Sequence, residues 1–477
     1  MEHPETADTL APPTEAKPAH REVRFEYSRE FPRVLEQLGV GLLVSTYQAG
    51  KLVVVGVYQG QLTFAFHNFE RAMGVAAGPG RVAVGTRRQI FLLHAAHDLS
   101  ASIEPPGTFD ACWLTRHSFV TGNIHGHELA WGSDGLWVVN TLFSSLCTLH
   151  EDYSFVPRWR PPFVTELAGQ DRCHLNGLAM QDGRPRFVTA HGESNEPAGW
   201  RPGKATGGCL IDVASGATIA RGFSMPHSPR MYDGRLWVLD SGTGRLLTVN
   251  PQDGHREPVE QLPGYTRGLA FCSRFAFVGL SKIRETAVFG GVPIAQRRDE
   301  LRCGVAVVDL VTGRAVAWLQ FHTGVEEVFA VEVLQGCRHP VLRGPNAEED
   351  GAQDIWLVPP PGKVPQAAGS APPATMSLRA ANTVSGVQPP LTHALAPLTH
   401  AQFRLTPDQA PLTGVEAPLI PTLSPAAGGE GRVRGPWAVG TSKARQGRLK
   451  PGLQPRTWRH WAGDCTRKVT WSKPPND

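Results

Sequence analysis

Along this chain the apolar residues come in short runs broken by polar turns. Runs at 41–46, 51–57, 61–66, 135–140, 235–240 and 274–279 are rich in Val, Leu, Phe and Trp, and each is too short for a helix with a buried stripe. They predict β-strands. The pairs Asp134-Gly135, Asp182-Gly183, Asp233-Gly234 and Asp253-Gly254 sit between or beside such runs. Asp-Gly supplies the positive φ that tight hairpins need, so the strands predict antiparallel sheets. Helical periodicity is confined to 30–38.

The strand pattern repeats. A strand of small and apolar residues recurs at 72–76, 128–131, 176–180, 227–231, 267–271 and 327–331, each time followed by a turn and a second strand. The period of roughly 40–60 residues is that of a propeller blade. The expected architecture is all-β: a six-bladed β-propeller with four-stranded antiparallel blades. Small residues suit the innermost strands, which crowd the axis. The strands at 41–66 precede the first inner strand, and the last inner strand lies far along the chain. One blade is therefore expected to take outer strands from the N-terminal region and its inner strand from the C-terminal region, closing the ring.

Composition sets the boundaries. Residues 1–22, rich in Pro, Ala, Thr and Glu, predict a disordered leader, and 23–358 the propeller, with 354–358 kept in its body. Residues 359–477 predict a disordered, basic, Pro/Ala-rich tail. There Pro390-Leu391-Thr392-His393-Ala394 recurs as Pro397-Leu398-Thr399-His400-Ala401. The net charge of +4 is uneven: 363–477 holds 14 Lys+Arg against 5 Asp+Glu, leaving the remainder at −5. The excess base belongs to the tail, so the charge gives the propeller no case for nucleic acid. Eight cysteines without a CxxC pair, and a start without a basic-then-apolar segment, predict reduced thiols and a cytoplasmic protein. No run approaches a membrane span.

Propeller topology sorts the polar residues. Loops leading into inner strands and loops joining second to third strands open on one face, where loop residues converge although distant in sequence. The first set carries Arg71, His125-Gly126-His127-Glu128, Cys173-His174-Leu175-Asn176, His227 to Arg230, Arg267 and Glu326. The second carries His191-Gly192-Glu193 and Lys282. His127, His174 and His227 are the candidate ligands of a divalent metal, because neutral imidazoles from several blades suit Fe, Zn or Mn. With Glu326 they form the candidate catalytic set. A bound ion would acidify a water, or one histidine would act as base without metal. Arg71, Asn176, Arg230, Arg267, Lys282 and His191 are the candidate substrate-binding residues, the arginines suggesting a small anion. Two residues apart on an extended chain, His125 and His127 are expected to face one side, as are His191 and Glu193.

Several longer words resemble a bacterial family of hypothetical proteins known as a domain of unknown function. They are Ser45-Thr46-Tyr47-Gln48-Ala49-Gly50-Lys51, Cys173-His174-Leu175-Asn176-Gly177-Leu178-Ala179, Ser224-Met225-Pro226-His227-Ser228-Pro229-Arg230 and Pro263-Gly264-Tyr265-Thr266-Arg267-Gly268-Leu269-Ala270-Phe271, with Arg302-Cys303-Gly304-Val305. The resemblance covers about 25–358 and implies a propeller-like fold without naming an activity. Propeller lactonases of the gluconolactonase type are similar at the level of fold alone. Two functions follow as expectations. One is a metal-assisted hydrolase or lactonase acting on a small anionic substrate. The other is a non-catalytic propeller that binds a peptide or metabolite on the same face. The first requires His127, His174 and His227 around one ion; the second expects an apolar or aromatic funnel floor.

Overall fold

The computed structural model describes residues 20–283 and 289–359 and, as backbone, the strand Arg467–Ser472. Six antiparallel blades stand in a ring. Blade 1 runs from its inner strand Ala330–Gln335 through Val40–Thr46 and Lys51–Tyr58 to Gln61–Asn68. Blade 2 is Val75–Gly78, Arg81–Gly85, Gln89–Ala95 and Ala111–Val120; blade 3 is Gly126–Gly132, Gly135–Asn140, Ser145–Thr148 and Val156–Trp159. Blade 4 is Leu175–Gln181, Arg184–Ala190, Gly208–Asp212 and Thr218–Phe223; blade 5 is Pro226–Tyr232, Arg235–Asp240, Arg245–Val249 and Arg256–Gln261. Blade 6 is Tyr265–Cys272, Phe275–Ser281, Cys303–Asp309 and Arg314–Phe321. Each inner strand touches those of the two neighbouring blades, so the ring is continuous.

Closure follows the expected route. Val40–Thr46 pairs with Ala330–Gln335, Val40 opposite Gln335 and Ser45 opposite Ala330, so chain segments nearly 300 residues apart share one sheet. The Ser45 hydroxyl accepts the Ala330 N–H at 2.9 Å and donates to the Met73 carbonyl at 2.5 Å, linking blades 1 and 2. The core lies between the blades, where second and third strands such as Val40–Thr46 and Lys51–Tyr58 are buried nearly throughout. Strands covered on both faces read as continuous apolar runs, and for that reason these were conspicuous in the sequence. The helix Glu30–Leu38 forms as its period predicts. It packs Phe31, Val34 and Leu35 inward and ends on Gly39 at φ 66°, a left-handed cap that glycine takes without strain.

Other details differ from the sequence reading. In blades 1 and 2 the inner strand starts three residues late, at Ala330 and Val75. Residues 72–74 and 328–329 are apolar because they are buried lead-in loop, not because they pair. Pro340–Arg343 adds an unforeseen parallel strand outside blade 2, against Ala111–Leu114. Residues 354–358 form no strand; Ile355 packs against the cluster around Cys112 and Leu114, and Trp356 is exposed. Outside blade 6 lies His20–Tyr27 and then Arg467–Ser472, with His20 opposite Ser472. The remainder of the expected leader and tail falls outside the described residues. No helix among the described residues is long and apolar enough to cross a membrane. The seven cysteines among them are all free.

Candidate functional site

The lead-in loops place the polar residues through a shared backbone device. Arg71, His125, His174 and Met225 stand just before the inner strands of blades 2 to 5, and all have positive φ, between 48° and 53°. For residues with a Cβ this is sparsely populated backbone, found where the surroundings impose it. The turn aims the following side chains over the mouth of the ring. Two long connections between second and third strands add to this face. In blade 4 one brings Trp200, and in blade 6 another brings Phe289.

Rings from five blades meet in a continuous chain. Tyr47 stacks on Phe329 at 5.8 Å between centroids, and Phe329 meets His127 at 5.3 Å. His127 meets His174 edge-on at 4.8 Å, His174 stacks on His191 at 4.4 Å, and His191 meets His227 at 5.0 Å. His227 meets Tyr265 at 5.7 Å. Arg267 closes the circle, its guanidinium carbon 3.3 Å from the Phe329 ring centroid. Trp200 covers His174 and His191 at 4.4 and 5.1 Å. Arg71 reaches the Tyr47 hydroxyl from blade 2 at 3.4 Å.

The hydrogen bonds fix which imidazole nitrogens carry protons. His127 Nδ1 lies 2.9 Å from the His125 carbonyl oxygen, and His227 Nδ1 lies 2.9 Å from that of Met225. A carbonyl only accepts, so in both rings Nδ1 is the donor. His174 Nδ1 is 3.0 Å from both carboxylate oxygens of Asp171, which also accepts the Trp200 indole N–H at 3.1 Å. His191 differs: both ring nitrogens are buried without a hydrogen-bond partner among the described residues. Burial drives the pKa of His127, His191 and His227 well below the usual imidazole range, and the Arg267 charge pushes each the same way. These three rings are neutral at pH 7.

Arg267 is the buried charge of the site. Burial lowers its pKa, yet a guanidinium stays protonated. Glu327 stands 3.8 Å from its Nη1, and its Nη2 is buried with no hydrogen-bond partner among the described residues. Tyr265, Arg267, Ser281, Lys282, Phe289 and Glu327 line a recess of about 10 Å³, room for one water-sized group. Arg230 serves elsewhere. It crosses the axis from blade 5 to Glu128 of blade 3 at 2.7 Å and lies 3.7 Å from Glu332 of blade 1. Burial and the Glu128 charge raise the Glu332 carboxyl to about 8, with Arg230 opposing.

Of the expected residues, His127, His174, His191, His227 and Arg267 meet at this ring, with Lys282 lining its recess and Arg71 at its rim. Asn176 is buried beneath, accepting the Thr189 hydroxyl at 2.7 Å. Glu326 is exposed; its carbonyl accepts the Lys282 N–H at 3.0 Å, and Glu327 takes the place near Arg267. His125 stands in the lead-in turn at φ 53°, and its carbonyl receives the His127 Nδ1–H. Glu193 does not join His191 but pairs with Arg221 at 2.5 Å. His127, His174 and His227 are spread along the chain of rings, and no group of three or more His, Cys, Asp or Glu among the described residues is arranged to hold a metal ion. The sequence reading gave no role to Tyr47, Asp171, Trp200, Tyr265, Glu327 or Phe329, although Tyr47, Tyr265 and Glu327 fall in loops expected on this face. Asp171, three residues before His174 in a lead-in loop, carried a readable signal.

A family model described as "Domain of unknown function (DUF4915)" matches residues 29–342. No curated protein matches the chain. Among solved structures the chain is similar to one titled "Crystal structure of Nidogen/Laminin Complex", at 12% identity and a TM-score of 0.40, covering 62% of this chain and 99% of that one.

Proposed function

The chain belongs to the DUF4915 family, a domain of unknown function, and from the geometry of its funnel face we propose that this face binds a small anionic molecule. Arg267 carries the reading. Its Nη2 is buried and without a partner among the described residues, and Glu327, at 3.8 Å from Nη1, is beyond hydrogen-bonding distance of Nη1. A buried cationic donor without a partner costs roughly 1–3 kcal/mol or more. A chain tolerates that where a ligand completes the bond. The guanidinium fork suits a carboxylate or phosphate, and Lys282 beside the same recess adds charge of the same sign. The aromatic rings around it supply the apolar contact that small-molecule sites use for most of their area.

A second reading, hydrolysis of a small ester or lactone held at this face, is favoured by one observation. Asp171 holds the Nδ1–H of His174, the arrangement that orients an imidazole to take a proton from water through Nε2. The metal-assisted form of that reading needs three imidazoles around one ion, and the ring-on-ring spacing supports the metal-free form instead.

Titrating the full chain with succinate and with inorganic phosphate, followed by calorimetry, tests the proposal. Wild type binds at least one of them, and Arg267→Gln weakens it by about tenfold or more at unchanged melting temperature. If Arg267→Gln fails to fold, Lys282→Gln serves as the second variant. No binding of any small carboxylate or phosphate to wild type at about 10 mM contradicts the proposal. Acid release from a small ester or lactone by wild type, abolished by Asp171→Asn, is the outcome that favours the second reading.

A further inference from the structure

We propose that the ligand of this face is a hydroxylated anion: its charged group sits on Arg267 and its hydroxyls donate to Nε2 of His127 and His227. The inference rests on the anion-binding reading and adds the part of the ligand that the imidazoles recognise. With Nδ1 committed to the His125 and Met225 carbonyls, each neutral ring leaves Nε2 as a hydrogen-bond acceptor. No hydrogen bond reaches either Nε2 among the described residues, and neither atom is among the sealed, unpartnered ones that include both nitrogens of His191. His191 needs one donor and one acceptor, which a hydroxyl or an ordered water provides together. His174, with Nδ1 held by Asp171, presents the same Nε2 edge in its neutral form.

Each alternative class fails on one count. A simple carboxylate carries only acceptors and would set lone pairs against lone pairs at the imidazoles, and inorganic phosphate offers only the one or two protons held on its own charged group. An amine would donate to them, but its ammonium charge would stand beside Arg267 and Lys282. A neutral polyol would satisfy the rings and leave the Arg267 Nη2 unmet. A molecule carrying both an anionic group and hydroxyls satisfies all of them. Whether the anionic group is carboxylate or phosphate is decided by experiment, since both fit a guanidinium.

Three four-carbon probes separate the contributions on the wild-type chain, with no variant that could misfold: tartrate, succinate and erythritol, measured by calorimetry at neutral pH. Glycerol 3-phosphate and inorganic phosphate form the phosphate pair. The expected result is that tartrate binds about tenfold or more tighter than both succinate and erythritol, or that glycerol phosphate exceeds inorganic phosphate by the same margin. Succinate equal to tartrate together with phosphate equal to glycerol phosphate overturns the hydroxyl contacts and leaves the anion site standing. Erythritol equal to tartrate overturns the anionic half. Binding by none of the five overturns the anion-binding reading and this inference with it.

Discussion

At the residue scale, burial gives the funnel its chemistry. An exposed histidine ring would exchange its proton near neutrality; His127, His191 and His227 are pushed well below that range by lost hydration and by Arg267. The Arg267 charge survives the same burial because no accessible pH removes it. One cation held among neutral rings is a sharper recognition device than a cluster of charges, which water would screen. The histidines were legible in the sequence because they recur where loops lead into inner strands. Glu327 was not, since neighbouring Glu326 satisfies the same pattern and only the register decides which faces Arg267. Trp200 sits in an irregular connection whose path no periodicity fixes, and Phe329 lies in an apolar run that does not show which way its ring turns.

At the element scale, the seams between inner strands set how rigidly the loops are held. Gly268 lies at the seam between blades 6 and 1. Its φ is +80°, a Cβ there would sit 2.5 Å from the Val331 nitrogen, and its N–H donates to the Ser228 hydroxyl of blade 5 at 3.1 Å. Both the conformation and the space exclude a side chain. Gly268→Ala should therefore cost about 2–4 kcal/mol, the sum of a left-handed backbone penalty and an overpacked contact. Urea denaturation measures it, and a loss below about 0.5 kcal/mol contradicts so tight a seam. The strands themselves were readable wherever both faces are buried. Lead-in segments such as 72–74 were misread because apolar character reports burial and does not distinguish pairing from packing. Pro340–Arg343 escaped because a four-residue strand carries too little pattern.

At the scale of the whole molecule, charges from alternate blades meet on the axis. Arg230 of blade 5 joins Glu128 of blade 3 and faces Glu332 of blade 1. Glu332 titrates near 8 when folded but near the ordinary carboxyl value when unfolded. Between those values the folded chain holds the extra proton, so this group's contribution to stability falls as pH rises from about 4.5 to about 8. Glu332→Gln should remove that fall, gaining on wild type by on the order of 5 kcal/mol towards pH 9, read as a widening gap in melting temperature. A constant gap across the range contradicts a raised carboxyl. The buried histidines act with the opposite sign: the unfolded chain protonates them first, so stability is lost as pH falls below about 6.5. The propeller and its closure were readable from the period and the order of strands, whereas this cross-axis cluster depends on which side chains point inward. The central claim is that the neutral rings of His127 and His227, protonated on Nδ1, share a site with the Arg267 guanidinium, whose Nη2 has no partner among the described residues. Nitrogen-15 NMR of the histidine side chains tests it most directly. The account predicts that at pH 7 His127 and His227 are neutral with the proton on Nδ1, and that their Nε2 resonances move when tartrate is added. Charged rings, protons on Nε2, or resonances unmoved by saturating tartrate would contradict it.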